Sequence, residues 1–190
     1  MMNKIRKFES EALPHLDDLY STALWMTGDE YIAAEKTRET YKIAFQYWSD
    51  GHDALGPRVQ LFKTFAKIYI REFRFRYEKS GTSAAFTDLH PHSSNLDGDG
   101  IEYDGYLDGL FSGLGPQEIR QAVLDLPDKL KLTMILSKLE GFTYQECADI
   151  VGLGLVAFKL RLYEACTYLR ARLLNIAKGH NNIYAHAPLR

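Results

Sequence analysis

The chain is poor in cysteine: Cys147 and Cys166 are the only two in 190 residues. That excludes a disulfide framework and a four-sulfur zinc site, and it suits a reducing compartment with both thiols buried. No stretch approaches the roughly 18 apolar residues of a membrane span. The start, Met1-Met2-Asn3-Lys4-Ile5-Arg6-Lys7-Phe8-Glu9, carries cations with no apolar segment behind them, so it does not read as a secretory signal and a cytoplasmic address is expected. Alternating apolar runs bounded by hairpin turns are missing. So are a Gly-rich phosphate loop, a nucleophile elbow and a Glu-x-x-His pair. His15, His52, His90, His92, His180 and His186 lack metal-ligand spacing, apart from a weak pair at 90 and 92. Asn95-Leu96-Asp97-Gly98-Asp99-Gly100 begins like a calcium loop, but its twelfth position is Tyr106 rather than Glu. Neither catalysis nor a cofactor nor a metal is therefore expected. Charge of one sign is also lacking: 23 Lys plus Arg against 25 Asp plus Glu give -2, so any nucleic-acid role rests on local clustering.

What is present is a folding composition, 46% apolar and 25% charged, with charge arranged in blocks. Arg58, Lys63, Lys67, Arg71, Arg74, Arg76 and Lys79 outnumber Glu72 and Glu78 by five. From Ser80 to Gly115 there is no Lys or Arg, six acids (Asp88, Asp97, Asp99, Glu102, Asp104, Asp108) and seven of the 14 glycines. Such a segment offers little surface to bury against the entropy of ordering it, so it reads as an acidic, flexible linker. Helical periodicity flanks it on both sides. Helices are expected at about 8–27, 30–48 and 57–79, then at 116–124, 127–139, 143–151 and 156–177. The expected architecture is all-α, with helical domains at 1–79 and 116–178, a linker at 80–115 and a tail at 179–190.

Two local patterns carry chemistry. Thr143 followed three residues later by Glu146 is a capping box that starts a helix at Tyr144, and Gly152 supplies the left-handed turn that ends it. Another helix follows within about three residues, which is helix-turn-helix spacing, with small Ala148 permitting close approach. With Phe158, Leu162, Ala165, Leu169 and Leu173 facing inward, Val156, Lys159, Leu160, Tyr163, Glu164 and Thr167 face out. Of these only Lys159 is cationic, and Glu164 opposes phosphate. The second pattern is earlier. Lys63, Lys67, Arg71 and Arg74 fall in one narrow arc of a helix, beside an apolar stripe of Phe62, Ala66, Tyr69 and Phe73. Cations interleaved with rings suit a melting or single-stranded nucleic acid.

In this order the parts resemble a bacterial RNA polymerase sigma factor of the extracytoplasmic-function (ECF) class, over about Phe8 to Leu174. In the first module, Gly28-Asp29, Ala33, Glu35, Glu39-Thr40-Tyr41, Ala44-Phe45 and Trp48 fall at the spacing of the family's second conserved region. Leu61-Phe62, Ala66, Glu72 and Arg76 match the helix after it. In the second module, Leu126-Pro127, the run Leu139 to Gly152, and Lys159, Arg161 and Leu162 match the fourth conserved region. The departures are Lys36, Thr37 and Arg38 where the family has apolar or amide residues, Ile68 for a frequent Asn, and Leu160 and Glu164 in the final helix.

The resemblance implies a dissociable polymerase subunit in which catalysis belongs to the polymerase. By transfer, Glu35, Arg38 and Glu39 are the polymerase-binding surface. Lys63, Lys67, Tyr69, Arg71, Arg74 and Arg76 face the -10 element, and Val156, Lys159, Arg161, Tyr163 and Thr167 read the -35 element. The acidic linker would lie in a basic RNA exit channel. Core RNA polymerase and promoter DNA are the expected partners, with room for an anti-sigma factor. The competing expectation is a sigma-like helix-turn-helix regulator that does not recruit polymerase.

Overall fold

The computed structural model describes residues 2–48, 56–79 and 115–184, with side chains of 2–3, 73–79 and 177–184 excepted. The acidic linker, its calcium-like loop, His90 and His92, and the end of the tail lie outside the described residues. Every regular element among the described residues is helical. Helix α1 (Met2–Ala12) leads through a 3-10 turn (Leu13–His15) into α2 (Leu16–Thr27). Helices α3 (Glu30–Tyr47) and α4 (Gly56–Lys79) complete the first half. The second half holds α5 (Pro116–Leu124), α6 (Asp128–Met134) with a π-helical continuation at Ile135–Leu139, α7 (Tyr144–Val151) and α8 (Leu155–Tyr184).

The helix expected across 8–27 is broken at Pro14, which has no amide to donate and sits in the first turn of the 3-10 segment. The last helix runs seven residues past the expected Ala177 end, through Gly179 to Tyr184. The other expected helices fall where they were placed, within two residues at each end, although the last turns of the 127–139 helix are π-helical rather than α-helical.

Local chemistry explains the boundaries. Gly28 ends α2 with φ +70°, and the Asp29 carboxylate accepts from the Ile32 amide at 2.9 Å to start α3. At α7 both halves of the capping box are made: the Glu146 amide donates to Thr143 Oγ1 at 3.3 Å, and the Thr143 amide donates to Glu146 Oε2 at 2.8 Å. Gly152 closes that helix with φ +71°.

In the first half, α1 lies across α3. Phe8 meets Phe45 and Trp48 edge-on, with centroids 5.2 and 4.9 Å away, and the Tyr41 hydroxyl donates to the Ala12 carbonyl at 2.7 Å. In the second half, Phe158, Leu162, Ala165, Leu169 and Leu173 form the buried stripe of α8, as their spacing predicts, and Cys147 and Cys166 are buried free thiols. Burial pushes the Cys147 thiol up to about 12, so it is unreactive.

The two halves are packed together. One apolar cluster runs from Phe8 through Leu61, Phe62 and Phe65 of α4 to Leu136, Phe142, Ala148 and Phe158 of the second half. Gly28 belongs to this junction too, because the Leu124 side chain lies 3.4 Å from where a Cβ would stand.

Truncating the cap of α7 tests the local account. Thr143→Ala should cost about 1 kcal/mol and Thr143→Ser only a few tenths, read by urea unfolding followed through tryptophan fluorescence. Equal stability of all three proteins would contradict it.

Candidate nucleic-acid and protein interface

Helix α4 presents two different edges. Its inner edge is core: Phe62, Phe65, Ala66, Ile68 and Tyr69 are all buried. The Tyr69 ring stacks near Phe65 with centroids 6.1 Å apart, and its hydroxyl donates to the Met26 carbonyl at 3.4 Å. That ring is thus covered in this arrangement. The outer edge carries the expected cations, with Lys63 half-buried and Lys67 and Arg71 exposed. Arg74 and Arg76 continue α4, with side chains outside the described residues.

Helix α3 divides the expected polymerase-binding set. Glu35 and Arg38 stand on the open side, 3.8 Å apart, with the Arg38 side chain 82% exposed. Glu39 faces α4 instead. One of its oxygens lies 3.1 Å from Lys36 Nζ and the other 3.6 Å from Arg71. Lys36 also bridges to Glu72 of α4. Burial disfavours the Lys36 charge, but hydrogen bonds to Glu72 and Glu39 outweigh it and raise its pKa. The cation that departs from the family pattern at 36 is therefore neutralised within the fold and ties α3 to α4.

On α8, Val156, Lys159, Tyr163 and Thr167 all face solvent. Arg161 differs: it is half-buried, and burial lowers its pKa. Glu164 sits 3.9 Å from Lys129 of α6. Further along, Arg172 is held in a two-nitrogen bond to Asp125 Oδ2 at 2.7 and 3.1 Å, which keeps the Asp125 pKa below its usual value. The positions Val156, Leu160, Tyr163, Thr167, Arg170 and Leu174 follow helical four-and-three spacing, and Val156 and the Tyr163 ring expose apolar surface there.

Among the described residues a further polar cluster lies between the halves and involves none of the site residues expected from sequence. Arg58, in the first turn of α4, donates through Nη2 to Glu140 Oε2 at 2.9 Å and to the Glu140 carbonyl at 3.0 Å. Its Nε donates to Asp18 Oδ2 at 3.3 Å. The guanidinium also covers the Phe142 ring at 4.1 Å and the Phe62 ring at 5.3 Å. Thr22 Oγ1 donates to the second Glu140 oxygen at 2.7 Å. The Glu140 side chain is only 8% exposed. Burial raises its pKa, and the Thr22 and Arg58 contacts only partly offset that. His15, beside this cluster, is lowered by burial and then by the Arg58 charge. At the other end of the junction Arg120 lies over the Trp25 ring at 5.9 Å.

Among the described residues no group of His, Cys, Asp and Glu is arranged to hold a metal ion, and no helix is long and apolar enough to cross a membrane. No family model matches the chain. Solved structures do. One is the co-crystal structure of the sigma factor RpoE with the anti-sigma factor NepR from Bartonella quintana. There the match has a TM-score of 0.60 at 19% identity, covering 88% of this chain and 97% of that one. Another is the NMR structure of the PhyRSL–NepR complex from Sphingomonas sp. Fr1, with a TM-score of 0.54 at 16% identity, covering 87% of this chain and 88% of that one. The described residues thus form an all-α fold shared with the sigma factor of the first of these complexes, in keeping with the sequence resemblance.

The Glu140 carboxyl should titrate above its ordinary 4.5, and Thr22→Val should raise it further by removing a hydrogen bond to the charged form. Because the folded-state value is raised, the native state binds this proton more tightly than the unfolded chain. Its contribution to stability therefore grows as pH falls from above that value toward the unfolded one. A carbon-detected NMR titration checks this; a Glu140 midpoint at or below 4.5 would contradict the burial.

Proposed function

We propose that the chain is an ECF-type sigma factor. It would bind core RNA polymerase, recognise promoter DNA and open it, with all catalysis supplied by the polymerase. The observation that carries this reading is the pairing, in one sigma-type fold, of an exposed cationic edge on α4 with two successive helices, α7 and α8, the first of them capped at both ends. Residues 1–79 would form the polymerase-docking and -10 module, with Glu35 and Arg38 on the outer face of α3 as its contact. Residues 116–178 would form the -35 module, with Lys159 supplying the phosphate contact and Val156, Tyr163 and Thr167 the base contacts. Residues 80–115 would tether the two. Glu39 would act by fixing α3 against α4, since both its oxygens are engaged there. The work would be done in the cytoplasm.

A specific observation supports a second reading, a sigma-like regulator that binds protein rather than polymerase. The outward face of α8 exposes apolar surface at Val156 and at the Tyr163 ring, 68% and 52% exposed, where a groove reader would carry mostly polar groups. Both solved complexes contain NepR, which is named an anti-sigma factor in the RpoE complex. An anti-sigma factor is accordingly proposed as a partner under either reading.

Mixing the purified chain with core RNA polymerase separates the two. Under the first reading the proteins co-elute, and run-off transcription on genomic fragments gives new, discrete products. No co-elution and no products would leave the regulator.

Lys63→Gln with Lys67→Gln tests the α4 edge. The pair should weaken promoter binding and make the logarithmic salt dependence shallower by about 2, one counterion per lost phosphate contact. Fluorescence anisotropy across a salt series reads this, and an unchanged slope would remove α4 from the DNA interface.

A further inference from the structure

Arg58 and Glu140 are 82 residues apart and belong to different halves, yet Arg58 Nη2 donates to both the carboxylate and the carbonyl of Glu140. Thr22 and Asp18 of α2 complete the set, while Phe62 and Phe142 close over it edge-to-face at 4.9 Å. A buried ion pair of this kind adds little stability over an apolar contact, but losing one partner is severe because a charge is then stranded. Such a pair can still select one arrangement over others. If the halves part, both ions regain water, so the polar junction favours closure only while all its members are in place. Parting would also uncover Phe62, which packs on Phe142, on the inner edge of α4 beside the cationic edge that is already exposed.

We infer that the Arg58–Glu140–Thr22 junction is a latch that holds the two modules closed in the free chain, and that a two-ended grip on DNA requires it to open. The second clause rests on the sigma reading; the first does not. No other protein is needed to hold the closed state, because every contact named comes from the chain itself. Unlatching is a population shift between two arrangements of the same modules.

The test uses the full chain with dyes on Lys42→Cys and Asn175→Cys. Both positions are exposed, one in each half, and the two native thiols are buried and do not compete for label. Energy transfer is compared for the parent, Arg58→Met and Thr22→Val, with helicity followed by circular dichroism. Arg58→Met strands the Glu140 carboxylate and should raise the low-transfer population about tenfold, with Thr22→Val giving a smaller rise. Should Arg58→Met lose helicity, Thr22→Val decides, since it removes one hydroxyl only. Helical variants with the parent's transfer distribution would overturn the latch. Core-polymerase affinity is read on the same samples. If no variant binds polymerase, the sigma reading falls while the transfer data still decide the latch.

Discussion

The arrangement of this protein turns on one guanidinium. Arg58 stands where three elements meet, and through it α2, α4 and the segment preceding α7 share hydrogen bonds and ring contacts. Around that polar centre the apolar core is continuous, so neither half has a complete inner surface while the other is absent. The inner edge of α4 therefore does two jobs. It is the core of the closed body, and it is the side that lies next to the cations proposed to meet DNA. A sequence that keeps Phe62, Phe65 and Tyr69 beside Lys63, Lys67 and Arg71 keeps both options on a single helix.

Charge is arranged with similar economy. A chain of net charge -2 cannot approach nucleic acid on total charge, so the positive field must be local. Part of the α4 edge is spent internally, because Arg71 faces Glu39 and Glu72 takes Lys36. Among the described side chains of that edge Lys67 and Arg71 are exposed, with Lys63 half-covered. On α8 the balance is weaker still, with Arg161 half-buried and Arg172 tied to Asp125. Helix α8 thus presents apolar surface beside the few cations that face solvent, which is why a protein partner stands beside DNA in the proposed function.

Much of the fold was legible because helix signals are local. Thr143, Glu146 and Gly152 mark both ends of α7 within ten residues, and the inward stripe from Phe158 to Leu173 follows from spacing alone. Pro14 was equally local and should have split the first helix. The π-helical stretch at Ile135–Leu139 leaves no comparable mark, since its residues are ordinary helix formers. The site was less legible. Periodicity places Tyr69 on a stripe but does not say whether another helix covers that stripe, and it cannot tell that Glu39 turns inward while Glu35 turns out. The Arg58 junction was invisible for the same reason: Asp18, Arg58 and Glu140 are unremarkable where they stand, and only tertiary packing brings them together.

The account joins a sigma-type fold, a closed free state and a proposed extended state on polymerase. The most direct measurement is the separation of spin labels, one in each half, by pulsed electron resonance in the free chain and after addition of core RNA polymerase with promoter DNA. The account predicts one short, narrow distance for the free chain and a much longer one in the complex. The same short distance in both samples, in a chain that demonstrably binds polymerase, would contradict it.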